Sequence, residues 1–138
     1  MLTRGICIIG CGNISNTRHI PAILKNKKIA NLIGIISEDQ EKIMRTLNKY
    51  SFISNSLLID DTKGIKEQLA NCSWFMNDVC AVVIGTPPKN HFTMVKACLF
   101  LGKHVLVEKP MMMSVSECDE AIALAKQKLL VLNVMHSF

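Results

Sequence analysis

Apolar residues in this chain gather into six short runs separated by polar or glycine-rich steps: ICII at 6–9, NLIGIIS at 31–37, a weaker LLI at 57–59, VCAVVI at 79–84, HVLV at 104–107 and LLVLNV at 129–134. Runs of this length, rich in Ile and Val and without polar alternation, read as strands covered on both faces. Between them the pattern changes to a helical period. A Ser37/Gln40 capping box opens DQEKIMRTLNKY, which predicts a helix to about Tyr50. A further helix is expected over roughly 62–72, after Asp60 and Asp61. The prolines of GTPP open a helix through HFTMVKACLFLG, in which Phe92, Val95 and Leu99 share a face and Gly102 marks the end. Ser114 and Glu117 form a second capping box at the head of SVSECDEAIALAKQK. Helix character after the first strand begins near Asn13, but Pro21 lacks the N–H that a helix interior needs. One short turn and a restart with Pro21 in its first turn are therefore predicted.

Strand and helix alternate from end to end, and each parallel pair of strands needs a right-handed crossover. The expected fold is α/β: a Rossmann-type, doubly wound parallel sheet of six strands in the order 3-2-1-4-5-6, with five crossover helices on both faces and residues 1–138 as one domain. In that order strands one and four diverge at the switch point, so GCGNIS and GTPP line a common crevice.

GCGNIS is the first candidate for chemistry. A strand that ends in Gly10-x-Gly12 and opens into a helix can hold a pyrophosphate: the first glycine permits the tight turn, the second leaves no side chain between backbone and ligand, and the first helical N–H groups face the anion. The third position of the usual pattern, Gly or Ala, is Ser15 here, which is small enough to keep the helix close to the strand. The pyrophosphate is expected over Gly10, Gly12, Asn13 and Ile14, the adenosine toward the tip of the second strand, and the nicotinamide toward strands four and five. At that tip Ser37 is followed by Glu38 and Asp39, and the nearest cation is Lys42. Two carboxylates repel a 2′-phosphate and accept hydrogen bonds from ribose hydroxyls, which favours NAD and leaves NADP possible. The same residues also suit a helix N-terminus.

Composition narrows the alternatives. With 49% hydrophobic and 20% charged residues the chain is globular rather than disordered. Its net charge of +5 comes from dispersed lysines; the densest group, Lys25, Lys27 and Lys28, has no interleaved aromatics and reads as a solvated helix end, not a nucleic-acid surface. Six cysteines form no CxxC pair, so reduced thiols in a cytoplasmic protein are expected, without zinc or another metal. Cys11, inside the glycine turn, reads as a filler rather than a nucleophile. The run from Ile6 is too short for a membrane span and lacks the flanks of a secretory signal.

The run VVIGTPPKNHFTMVKACLFLGKHVLVEKPMMMS resembles the TP…H…GKHVLxEKP segment of the Gfo/Idh/MocA family, and the likeness extends from GCGNIS through NVMHSF, essentially the whole chain. Members of that family are NAD(P)-dependent oxidoreductases acting mainly on sugars, cyclitols and sugar nucleotides. The resemblance implies that Gly10, Gly12 and Ile14 form the cofactor turn, that Thr86 and Pro87 lie beneath the nicotinamide ribose, and that His91 is the cofactor-site histidine following them. It also implies that Glu108, Lys109 and Pro110 form the nicotinamide end, with Lys109 the catalytic lysine near the reacting carbon. An ammonium there would stabilise negative charge on a substrate oxygen or relay a proton. Met111 to Met113 read as packing around this turn, and His136 matches no motif position. Family enzymes continue into a second domain that supplies substrate contacts and an acid/base. An end at Phe138 therefore predicts a dinucleotide-binding domain that is not catalytically competent alone, and its greasy surface predicts a homo-oligomer. The competing expectation is a non-catalytic dinucleotide-binding or sensing module, or a subunit that completes its pocket with a partner. A methyltransferase built on S-adenosylmethionine leaves the TP loop and EKP unexplained.

Overall fold

The computed structural model describes residues 3–136, so Ser137 and Phe138 of the NVMHSF stretch lie outside the described residues. The six apolar runs form one parallel sheet, β3-β2-β1-β4-β5-β6. Its strands are β1 (Arg4–Ile9), β2 (Ala30–Ser37), β3 (Ser56–Leu58), β4 (Ala81–Ile84), β5 (His104–Glu108) and β6 (Leu132–Met135). All neighbours pair in parallel, with β1 between β2 and β4. The C-terminal ends of β1, β2, β4 and β5 thus lie along one edge, and the strand order reverses between β1 and β4.

The crossovers supply α1 (Ile20–Lys25), α2 (Gln40–Lys49), α3 (Ile65–Ala70), α4 (Ser73–Asp78), α5 (His91–Phe100) and α6 (Val115–Lys128). Successive residues of a strand point to opposite faces, and β1 divides accordingly. Ile8 packs with Ile20, Ile35, Ile43 and Ile53 under α1 and α2. Cys7 and Ile9 belong to the larger core with Phe75, Val95, Leu99, Ala121 and Ala125 on the other face. Val83 and Leu106, paired across β4 and β5, are only half-buried.

Two local expectations are corrected and one is refined. Pro21 does sit in the first turn of α1, but the chain is helical without a gap over residues 13–25, because one wide turn, Ser15–His19, shifts the bonding so that the N–H of Ile20 donates to the carbonyl of Ser15. A turn of this kind absorbs the donor that proline lacks. The Ser37/Gln40 capping box does not form. Ser37 is still strand, paired with Leu58, and the cap is Asp39, whose Oδ1 accepts from the N–H groups of Glu41 (3.0 Å) and Lys42 (3.2 Å). The helix expected over 62–72 is shorter, and a second helix, α4, follows at once. Trp74 of α4 sits over Gly34 of β2, where an added Cβ would lie 2.7 Å from the indole ring. Beyond α4, buried Lys103 donates to the carbonyls of Met76 (3.1 Å) and Val79 (2.6 Å) and closes that segment. At the head of α6 the serine half of the expected capping box is present, with Ser114 Oγ accepting from the N–H of Glu117 at 3.2 Å.

Candidate functional site

A crevice of about 980 Å³ opens along the C-terminal edge of the sheet, over the tips of β1, β2 and β3 and against the loop after β4. Among the predicted site residues it brings together Gly10, Gly12, Ser37, Glu38, Thr86 and Pro87. Asn13 and Ile14 form the first helical turn beside Gly12, where N–H groups have no partner within the helix.

The two glycines have different physical reasons to be glycine. Gly10 has φ +106°, and an added Cβ would lie 2.7 Å from the carbonyl oxygen of Gly85, so the chain's own packing forbids a side chain there. Around Gly12 a Cβ would meet nothing within 4 Å, and φ is not positive. That space is open and Gly12 lines the crevice, as a cradle for a backbone-bound anion requires. Beneath it the turn is braced from inside. Ser15, fully buried, donates through Oγ to the carbonyl of Gly10. Asn16 Nδ2 donates to the carbonyls of Cys11 (3.1 Å) and Gly12 (2.9 Å) and to Thr46 Oγ1 (3.1 Å), while Tyr50 Oη donates to the carbonyl of Asn16 at 2.7 Å. Sequence reasoning treated Ser15 as a tolerated swap and missed Asn16 and Tyr50. A polar Asn four residues after a turn glycine was the available signal, because it can reach back to that carbonyl. Burial pushes the Cys11 thiol up to about 11, against the lowering effects of Thr46 and Lys42, which keeps it a thiol and unsuited to nucleophilic attack.

At the β2 tip Ser37 is buried, and its Oγ accepts from the N–H of Asp39 at 3.1 Å. Asp39 is engaged as the cap of α2, so Glu38, exposed, is the carboxylate at this tip without that duty. Asp60, beyond β3, has its carboxyl held below the usual range by hydrogen bonds from the Thr62 hydroxyl and N–H.

Across the crevice Thr86 Oγ1 is a buried atom with no hydrogen-bond partner in the protein. His91 is fully enclosed behind this loop rather than at the crevice wall: Nδ1 lies 2.8 Å from the carbonyl oxygen of Pro110 and Nε2 2.9 Å from that of Thr86. Glu108 ends β5, and Lys109 and Pro110 follow, exposed. His19, which the sequence did not single out, brings Nε2 to 2.9 Å from Glu108 Oε1, off the line of an aligned hydrogen bond. Its pKa is lowered by burial, with Glu108 acting in the opposite direction. Met112 is buried, Met111 half-buried and Met113 exposed, and His136 is exposed just past β6. Among the described residues no group of His, Cys, Asp and Glu side chains could hold a metal ion, and no helix is long and apolar enough to cross a membrane.

A doubly wound sheet with a glycine turn, an open Gly12 face and an acidic β2 tip around one crevice defines a dinucleotide-binding type of domain. Comparison with known proteins agrees. The family described as "Oxidoreductase family, NAD-binding Rossmann fold" matches residues 4–136. The oxidoreductase sll0816 of Synechocystis is 34% identical over 123 residues, covering 89% of this chain and 30% of that protein. A crystal structure of a putative oxidoreductase from Klebsiella pneumoniae superposes with a TM-score of 0.73 at 31% identity, over 97% of this chain and 35% of that one. The WlbA dehydrogenase of Chromobacterium violaceum, solved with NADH and UDP-GlcNAcA, shares the fold at a TM-score of 0.80 and 24% identity, over 96% of this chain and 35% of that one. The chain belongs to the Gfo/Idh/MocA oxidoreductase family and corresponds to its NAD(P)-binding domain. It spans about a third of the length of the curated relatives it matches.

Proposed function

We propose that this chain binds a nicotinamide dinucleotide and presents it for hydride transfer to or from a sugar, cyclitol or sugar-nucleotide hydroxyl or carbonyl in an oxidoreductase. The observation that carries the reading is the open face of Gly12 beside a Gly10 whose geometry the chain itself demands. When bound, the dinucleotide supplies or accepts the hydride. The chain's own residues do the rest. Gly10, Gly12, Asn13 and Ile14 hold the pyrophosphate against backbone N–H groups. Glu38 accepts from the ribose hydroxyls at the β2 tip beside Ser37, which favours NAD over NADP. Thr86 offers its unpartnered hydroxyl to the nicotinamide ribose, with Pro87 shaping the loop. Lys109, with Glu108 and Pro110 fixing its turn, stabilises charge on the substrate oxygen or moves its proton. The sugar-nucleotide complex of the WlbA dehydrogenase supports the substrate class.

Self-association belongs to the same proposal, because the half-buried Val83 and Leu106 offer an apolar face that a second copy would cover. A monomer mass by light scattering at high concentration would contradict it. Calorimetric titration with NADH and NADPH tests the cofactor assignment. One site with a preference for NADH is expected, and no binding of either at millimolar concentration would overturn it.

A further inference from the structure

Lys109 stands between two residues that buried histidines hold. On its N-terminal side, Glu108 Oε1 lies 2.9 Å from His19 Nε2, and His19 is 5% exposed. On its C-terminal side, the carbonyls of Pro110 and Met111 lie 2.8 and 3.2 Å from Nδ1 of His91, which is fully buried. Among the described residues no ion pair ties Lys109 itself. Its place is therefore set through its neighbours.

The two rings come from the two elements that border the crevice. His19 lies on the helix that leaves the glycine turn, and its Cδ2 would be 3.7 Å from a Cβ placed at Gly85, so it passes behind the loop after β4. His91 reaches from the start of α5 to Thr86 with one nitrogen and to the EKP turn with the other. Every neighbour of the His91 nitrogens is a carbonyl, which only accepts; a neutral ring carries one N–H, so it donates to one of the two loops and packs its other nitrogen against the other. A buried imidazole is costly unless its polar atoms are met, and an apolar side chain of similar size would fill either place without that cost. Here all three contacted nitrogens are directed at the loop after β4, which lines the crevice, and at the EKP turn beside it.

We propose that His19 and His91 are positioning residues for Lys109, linking the pyrophosphate turn and the Thr86 loop to the EKP turn so that filling the crevice fixes the lysine. This rests on the dinucleotide reading above. The test is hydrogen–deuterium exchange of the 138-residue chain with and without NADH. In the wild type NADH is expected to slow exchange at the glycine turn and also at the amides of Glu108, Lys109, Met111 and Met112. His19→Leu is expected to bind NADH and keep the slowing at the glycine turn, but to lose most of the slowing at the EKP turn, because the polar contact to Glu108 Oε1 is gone. His19→Gln, which keeps a donor, is expected to restore it. His91→Gln, which can reach one loop at a time, is expected to lose the EKP slowing as well.

Wild-type slowing at the EKP turn in His19→Leu or His91→Gln would remove that histidine from the proposal, and His19→Gln behaving as His19→Leu would reduce it to packing. If these variants do not fold, Glu108→Leu and Glu108→Gln break and keep the His19 contact from the other side, with the same two outcomes. A wild type that binds NADH but is slowed at the glycine turn alone overturns the coupling and leaves the dinucleotide reading standing. A wild type that binds no NADH overturns that reading, and the coupling with it.

Discussion

The two ends of the crevice are built on opposite physical plans. At the β2 end the functional groups are carboxylates in or near water: Glu38 and Glu41 are exposed, as are Asp60 and Asp61. At the β4–β5 end the polar groups are enclosed, with His91 fully buried and His19 nearly so, each held against atoms of another loop. Water screens the first end, so single charges there can change with little effect on folding. The second end is packed, so a change there moves loops. The glycine turn joins the two and shares both characters, rigid beneath and open above.

That contrast predicts an order of effects. Gly10→Ala combines a positive φ with a contact to the Gly85 carbonyl and should cost about 3 kcal/mol of stability, read from urea unfolding. A loss below about 0.5 kcal/mol would show that the turn yields. At the watery end, Glu38→Arg should shift the ratio of NADPH to NADH affinity by about tenfold toward NADPH with unfolding unchanged. A stability loss there would mean Glu38 is structural. Returning to the turn, Ser15→Ala removes the bond to the Gly10 carbonyl and should cost about 1 kcal/mol.

The smallest effect is the pH response. His19 has its native pKa below 6.5 because burial disfavours its charge, so the unfolded chain takes up the proton first as pH falls. Stability should decline from about pH 7 downward through the histidine range until the native pKa is passed. Urea midpoints measured across that window should fall less steeply in His19→Gln.

How far the sequence could be read follows from where the partners lie. The strands were legible because buried parallel strands are continuous apolar runs, and the glycine turn because its constraints are local. The cap of α2 was misassigned because Ser37 remains in the sheet opposite Leu58, a partner that a local motif cannot show. α4 was missed because Trp74 and Phe75 make no period in so short a helix; what secures it is Gly34 on β2, far away in the chain. In the site, the glycines and the TP and EKP stretches were visible as motifs. His19 and Tyr50 were not, because each acts on an atom that only the fold brings near, whereas Asn16 reaches back to Gly12 over four residues and was overlooked. The Pro21 signal was read correctly as a missing donor, but the helix absorbed it with one wide turn.

The claim on which the account turns is that the space over Gly12 belongs to a ligand. Thermal melting and calorimetric NADH titration of Gly12→Val beside the wild type test it directly. The account predicts a melting temperature within about 3 °C of the wild type, since a Cβ there has no protein atom within 4 Å, together with at least tenfold weaker NADH binding, roughly 1.4 kcal/mol. Gly12→Val binding NADH as tightly as the wild type would contradict it.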